Sequence, residues 1–137
     1  MMRIAFAGCT LTGDKFSPKK LLEYLPHICF REAHEPGATC KYTKRILPHG
    51  GAIIDRASNL NKPGDKIAWE DMLDFLVQNH QVIRDFGAED IDLTLNFFYQ
   101  DQSGSSWHIE DKDIKLLARL GIGLSIDWYH IEDESSY

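Results

Sequence analysis

The chain has little of what marks most specialised proteins: three cysteines and five prolines in 137 residues, fewer basic than acidic side chains, and no long apolar run. An odd number of thiols without framework spacing excludes a small disulfide-stapled secreted domain, and a cytoplasmic chain with free thiols is the simplest account. No stretch approaches the roughly 18 apolar residues that a spanning helix needs, so no membrane partner is expected. With 15 Lys and Arg against 21 Asp and Glu, the formal net charge is −6. Affinity for nucleic acid comes largely from neutralising phosphates, so this balance argues against nucleic acid and favours a basic partner. Catalytic signatures are missing too. Gly8 and Gly13 flank Cys9-Thr10-Leu11-Thr12, but neither the Gly-Lys-Ser/Thr ending of a phosphate loop nor a dinucleotide glycine triplet is present.

What is there describes a folded domain. Hydrophobic residues make up 43% and charged residues 26% of the sequence, ordinary values for one domain with a real core. The apolar opening from Met1 to Ala7 is broken by Thr12, Asp14 and Lys15, and reads as a first strand rather than a signal peptide. Thr12-Gly13-Asp14 is turn chemistry, and Ser17-Pro18 starts a short helix with Leu21, Leu22 and Leu25 inward, stopped by Pro26. Residues 28–31 form a candidate strand, Glu35-Pro36-Gly37 a turn, and 40–47 an extended run. Pro48-His49-Gly50-Gly51 reads as another turn before the apolar Ala52-Ile53-Ile54, and residues 59–66 read as a linker.

The second half is the more legible. Asp65, after Pro63-Gly64, is a candidate N-cap. Trp69, Met72, Leu73, Leu76, Val82, Ile83 and Phe86 then recur near a 3.6-residue period until Gly87. Next, Leu93, Leu95, Phe97 and Tyr99 alternate strictly, the mark of a strand with one buried face. After the turn-rich residues 102–105, Trp107 and Ile109 predict a further strand. Asp111 predicts the cap of a short helix, with Ile114, Leu117 and Ala118 inward and Gly121 at its end. Leu124, Ile126 and Trp128 predict the inward row of a closing strand. The expectation is a single α+β domain over 1–137: a mainly antiparallel sheet of five to six strands with two to three helices packed on one face. Its halves, 1–60 and 65–131, share an element order that suggests a distant duplication, and residues 132–137 form an acidic tail.

Several of these markers occur together in a known family. They are the helix led by Phe16-Ser17-Pro18 after Gly13-Asp14, Arg31 and Gly37 around a turn, Gly50-Gly51 before an extended run, and the closing Leu120-Gly121-Ile122-Gly123-Leu124-Ser125-Ile126-Asp127. Over residues 3–130 the chain resembles domain of unknown function 4279, a family of small bacterial proteins. It departs from the family at Ala52, where a Trp tends to follow the glycine pair. The resemblance implies an α+β fold and a bacterial origin, and it assigns no catalytic residue, cofactor or metal.

Candidate chemistry has a bland counterpart at each position. Cys29, His34, Cys40 and His49 are zinc-type ligands by element, but structural zinc sites use tight pairs and none is present, so no metal is expected. No cysteine directly precedes a helix start that would activate it, so a Cys/His nucleophilic pair has no support. His80 reads as a boundary histidine, and the pairs Asp55-Arg56 and His34-Glu35 as solvated loop charges.

The face opposite the inward row is more informative. Period two puts Thr94, Asn96, Phe98, His108, Ser125, Asp127 and Tyr129 there, two aromatics among polar groups, the composition of an interface. The competing account is that strands or loops of the first half cover this face and make Phe98 and Tyr129 core.

These features point to a protein without enzymatic activity or cofactor, an immunity protein that binds a cognate basic, nuclease-type toxin. Phe98, Asp127, Tyr129, Glu132, Asp133 and Glu134 are its candidate contacts. A small-ligand domain or enzyme of unassigned chemistry, and a structural homo-oligomer, are the alternatives.

Overall fold

The computed structural model describes residues 2–57, 67–99 and 108–130. In chain order the elements are β1 (Met2–Gly13), α1 (Pro18–Tyr24), β2 (Phe30–His34), β3 (Gly50–Ala57), α2 (Ile67–Asp85), β4 (Asp90–Tyr99), α3 (Asp111–Leu120) and β5 (Gly123–His130). The strands form one sheet in the order β2-β3-β1-β4-β5. Three of its pairings are antiparallel and the last, β4 with β5, is parallel. The fold is α+β, with a five-stranded mixed sheet and three helices among the described residues.

The parallel pair corrects the expected strand at Trp107 and Ile109. Trp107 lies outside the described residues. Ile109 belongs to no strand and packs, half-buried, against the core just ahead of α3. Strands that run the same way need a long crossover, and α3 lies within the one that joins β4 to β5.

One face of the sheet carries the core. Ala7, Cys9 and Leu11 of β1, Ala52 and Ile54 of β3, and Ile91, Leu93, Leu95 and Phe97 of β4 are all buried, each two residues from the next within its strand. Against them pack Leu21 of α1, Leu117 of α3, and the α2 stripe of Ala68, Trp69, Met72, Leu73, Leu76 and Ile83. Trp69 is 2% exposed while Glu70 faces solvent, so the helical phase read from the sequence holds. The described part of α2 begins at Ile67, and Asp65, the expected N-cap, lies outside the described residues. At the other end, Gly87 adopts φ 106°, a left-handed conformation that costs residues with a Cβ about 1–2 kcal/mol.

Two side chains tie the helices to one another and to the start of β4. The Trp69 indole Nε1 donates to the Asp113 carboxylate at 3.1 Å, joining α2 to α3. Arg84, near the end of α2, donates to the carbonyls of Glu89 (3.0 Å), Leu120 (3.0 Å) and Gly121 (3.2 Å), which satisfies acceptors at the end of α3. Around Phe16, which is fully buried, the backbone closes tightly. A Cβ at Gly50 would collide with the Phe16 carbonyl, and one at Gly13 with the Gly87 carbonyl.

Other expectations change in detail. Ser17 does cap α1, its hydroxyl accepting from the Lys20 amide at 3.2 Å, but Leu22 is exposed because a seven-residue helix presents only about two turns to the core. Residues 40–47 are a hairpin-like loop rather than extended, with a bridge between Thr39 and Ile46 and a turn at 41–43. Gly50 and Gly51 belong to β3, not to a turn. Glu110, not Asp111, is the N-cap of α3, which buries Leu117 but leaves Ile114 (51%) and Ala118 exposed. On β5 the inward row fades from half-buried Leu124 to Ile126 (37%) and Trp128 (54%), since an edge strand has a neighbour on one side only. Trp128 nonetheless stacks on Phe97, with ring centroids 5.1 Å apart.

Candidate functional site

The opposite sheet face is polar, and its residues come together through strand register. In β1 the positions between the core residues are Gly8, Thr10 and Thr12. Gly8 pairs with Asp55 of β3 on one side and Thr94 of β4 on the other. Across the next pairing, Thr94 stands beside Ser125 and Asn96 beside Asp127. The residue with no side chain thus sits mid-sheet, with larger side chains on both flanks. A cleft of about 240 Å³ results, with Gly8 at its floor, Thr10, Thr94 and Asn96 around it, and Asp127 and Tyr129 on the β5 side.

The β2–β3 side of the cleft is charged. The register of β2 on β3 shifts between Phe30 and Glu32, and Arg31 falls at that irregularity. Its Nε lies 2.6 Å from Asp55 Oδ2. The second oxygen, Asp55 Oδ1, is buried and has no hydrogen-bond partner among the described residues, and it would lie 3.0 Å from a Cβ built on Gly8. A carboxylate oxygen normally accepts at least one bond when removed from water, so this one is a vacant acceptor held over the cleft floor.

The expected interface residues divide three ways. Thr94, Asn96, Asp127 and Tyr129 line the cleft together, with Asp127 exposed and Tyr129 at 47% exposure. Phe98 pairs with Tyr129 in the register, but its side chain lies outside the described residues, as do Glu132, Asp133 and Glu134. His108 is a correction. It precedes α3 instead of lying on a strand, and it is exposed beside Glu110 in the groove between α2 and α3.

Five contributors, Gly8, Thr10, Arg31, Ile53 and Asp55, were not among the interface candidates. Asp55 and His34 are strand residues, not solvated loop charges, because β2 and β3 extend over them. Glu35, next to His34, is also engaged. One oxygen accepts from the Ser17 hydroxyl and the other from the Lys19 amide at 3.1 Å, so it caps α1 from a distant segment.

The thiol and imidazole groups do not assemble a second site. Cys9, Cys29 and Cys40 are free thiols. Cys9 is buried in the core, and desolvation first, with the Asp92 charge adding to it, pushes its pKa up to about 12, the reverse of activation. Cys40 sits in the 40–47 loop, where hydrogen bonds from the Thr43 hydroxyl and nearby backbone lower its pKa. The His34 and His49 rings lie 6.1 Å apart. Among the described residues no three His, Cys, Asp or Glu side chains converge in a metal-holding group, and no helix is long and apolar enough to cross a membrane.

Comparison of the chain with protein-family models, with curated proteins and with solved structures gave no significant match.

Proposed function

We propose that this is a non-catalytic binding protein of the immunity type, which neutralises a basic, nuclease-type toxin by docking it on the open face of the sheet. One observation carries the reading. The three helices pack on a single face, and the other presents Asp127 and Tyr129, exposed, beside Thr94 and Asn96. A half-exposed tyrosine in a polar surround is a typical hot-spot anchor, having large area and few rotatable bonds. The net charge of −6 supplies long-range attraction to a basic surface.

The test is binding kinetics with the purified product of the adjacent gene, across a salt series. At about 0.15 M salt the screening length is about 8 Å, so charges acting at a distance show in the on-rate. Asp127→Asn, and Glu132→Gln with Glu134→Gln, should slow association and flatten its salt dependence. Tyr129→Ala should speed dissociation, with a loss of about 2 kcal/mol or more. Absence of binding at micromolar concentration, or a Tyr129→Ala protein that binds like the wild type, would refute the proposal.

A further inference from the structure

We infer that the cleft over Gly8 is a recognition pocket for a primary ammonium group, with Asp55 as its principal acceptor. The identification of that group as a lysine of a protein partner rests on the function proposed above; the pocket itself does not.

Charge selects the sign of the occupant. Among the described lining residues two carboxylates, Asp55 and Asp127, face one guanidinium, Arg31, a balance of one negative charge. An anion is therefore disfavoured. A divalent ion is disfavoured as well, since the Arg31 cation is bound to one of the two carboxylates and no third ligand of the His, Cys, Asp or Glu type converges there among the described residues.

Hydrogen bonding selects the kind of cation. Arg31 engages Asp55 Oδ2, and among the described residues the buried Oδ1 has no donor. Around the same hollow stand the Thr94 hydroxyl, the Asn96 side-chain amide and the Asp127 carboxylate, each able to accept. Acceptors spread around a hollow suit a compact group with three N–H donors, which is a primary ammonium. Ile53 and Tyr129 supply the apolar part of the lining, against which an aliphatic stem can lie. Gly8 makes the space: a Cβ there would sit at 3.0 Å from Asp55 Oδ1, in the volume the ammonium would occupy.

The experiment is a titration of the ¹⁵N-labelled full chain with n-butylammonium chloride, followed by NMR at constant ionic strength. Tetramethylammonium chloride has the charge without N–H donors, and 1-butanol has the stem without the charge. Saturable shifts at the Gly8, Thr94 and Asn96 amides are expected with butylammonium alone. Asp55→Asn should weaken them at least tenfold. Gly8→Ala, which keeps every charge and fills the floor, should do the same, so loss of affinity does not hinge on a variant that disturbs Arg31. Equal responses to the two cations, shifts scattered over the acidic side chains of α2, or unchanged affinity in both variants would overturn the assignment.

A second arm identifies the source of the ammonium. If a partner's lysine fills the cleft, the partner binds at least tenfold more weakly to Asp55→Asn. If butylammonium saturates the cleft and the partner ignores Asp55→Asn, the pocket serves a free amine. A partner that binds while butylammonium does not would end the pocket and leave the proposed function standing; the reverse result would do the opposite.

Discussion

Replacing Cys9 by Ala should reverse its effect on stability as the pH rises. Cys9 is fully buried on the central strand, between Ile54 and Leu93 in the register. Burial, with the nearby Asp92 charge, raises its pKa from 9.0 to about 12. At neutral pH both folded and unfolded chains hold the proton, so titration contributes nothing. Above about pH 9 only the unfolded chain ionises, so unfolding releases a proton and stability falls by about 1.4 kcal/mol per pH unit until the folded pKa is reached. By about pH 10 the accumulated loss is ~1.4 kcal/mol. The alanine variant loses the sulfur and gains a small cavity, costing about 1 kcal/mol at neutral pH, but it has no proton to release. The cysteine protein should therefore be the more stable by about 1 kcal/mol near pH 7.5, draw level with the variant between about pH 9.5 and 10, and be the less stable above that. Urea unfolding in the presence of reductant, run on both proteins across that range, measures the difference directly and cancels the lysines and tyrosines they share. A gap that stays constant with pH would show that the Cys9 thiol is not held protonated by burial.

Two other perturbations test the packing. Leu76→Ala removes a fully buried side chain from the middle of α2 and should cost about 2–5 kcal/mol in chemical denaturation, whereas a cost below about 0.5 kcal/mol would contradict its core position. Arg84→Ala removes the donor to three carbonyls at the α2–β4 turn and the end of α3, and should cost about 1–3 kcal/mol with faster amide exchange at the end of α3. Arg84→Lys should restore little, because one ammonium cannot reproduce the fork, and full restoration by lysine would refute that account.

The elements that the sequence made legible are those whose pattern repeats over several turns or strand pairs. The α2 stripe from Trp69 to Ile83 and the β4 alternation of Leu93, Leu95 and Phe97 carry their phase within themselves, and both lie as their spacing predicts. Shorter signals misled where tertiary context decides. Ile114 and Ala118 share a short helix with Leu117, yet only Leu117 is buried, since ten residues crossing near a sheet edge offer one narrow contact line. Ile126 and Trp128 fit the inward period of β5 but lie on an edge strand, and strand order is not written in local spacing. The turn expected at Gly50-Gly51 rested on the usual role of paired glycines. Here they lie in a strand, one beneath the His34 ring and the other against the Phe16 backbone, so close approach rather than chain reversal explains them.

The cleft was half legible for the same reason. Thr94, Asn96, Asp127 and Tyr129 could be placed on one face, because period two assigns faces within a strand. Gly8, Arg31 and Asp55 could not be joined to them, because 39 to 121 residues separate the two sets and only sheet order brings β2, β3, β1, β4 and β5 side by side. A signal did exist at Gly8: a glycine inside a strand marks a bulge or a place where something approaches the backbone closely. No bulge falls at Gly8, whose pairings on both sides are regular, with the shift in β1 lying between Ile4 and Phe6. Close approach is then the remaining reason, and the group that approaches is the vacant oxygen of Asp55, held over the floor by Arg31. A core strand gains nothing from losing a side chain on its polar face. A binding face does, since the missing Cβ is what turns a flat row of acceptors into a hollow deep enough to surround a cation.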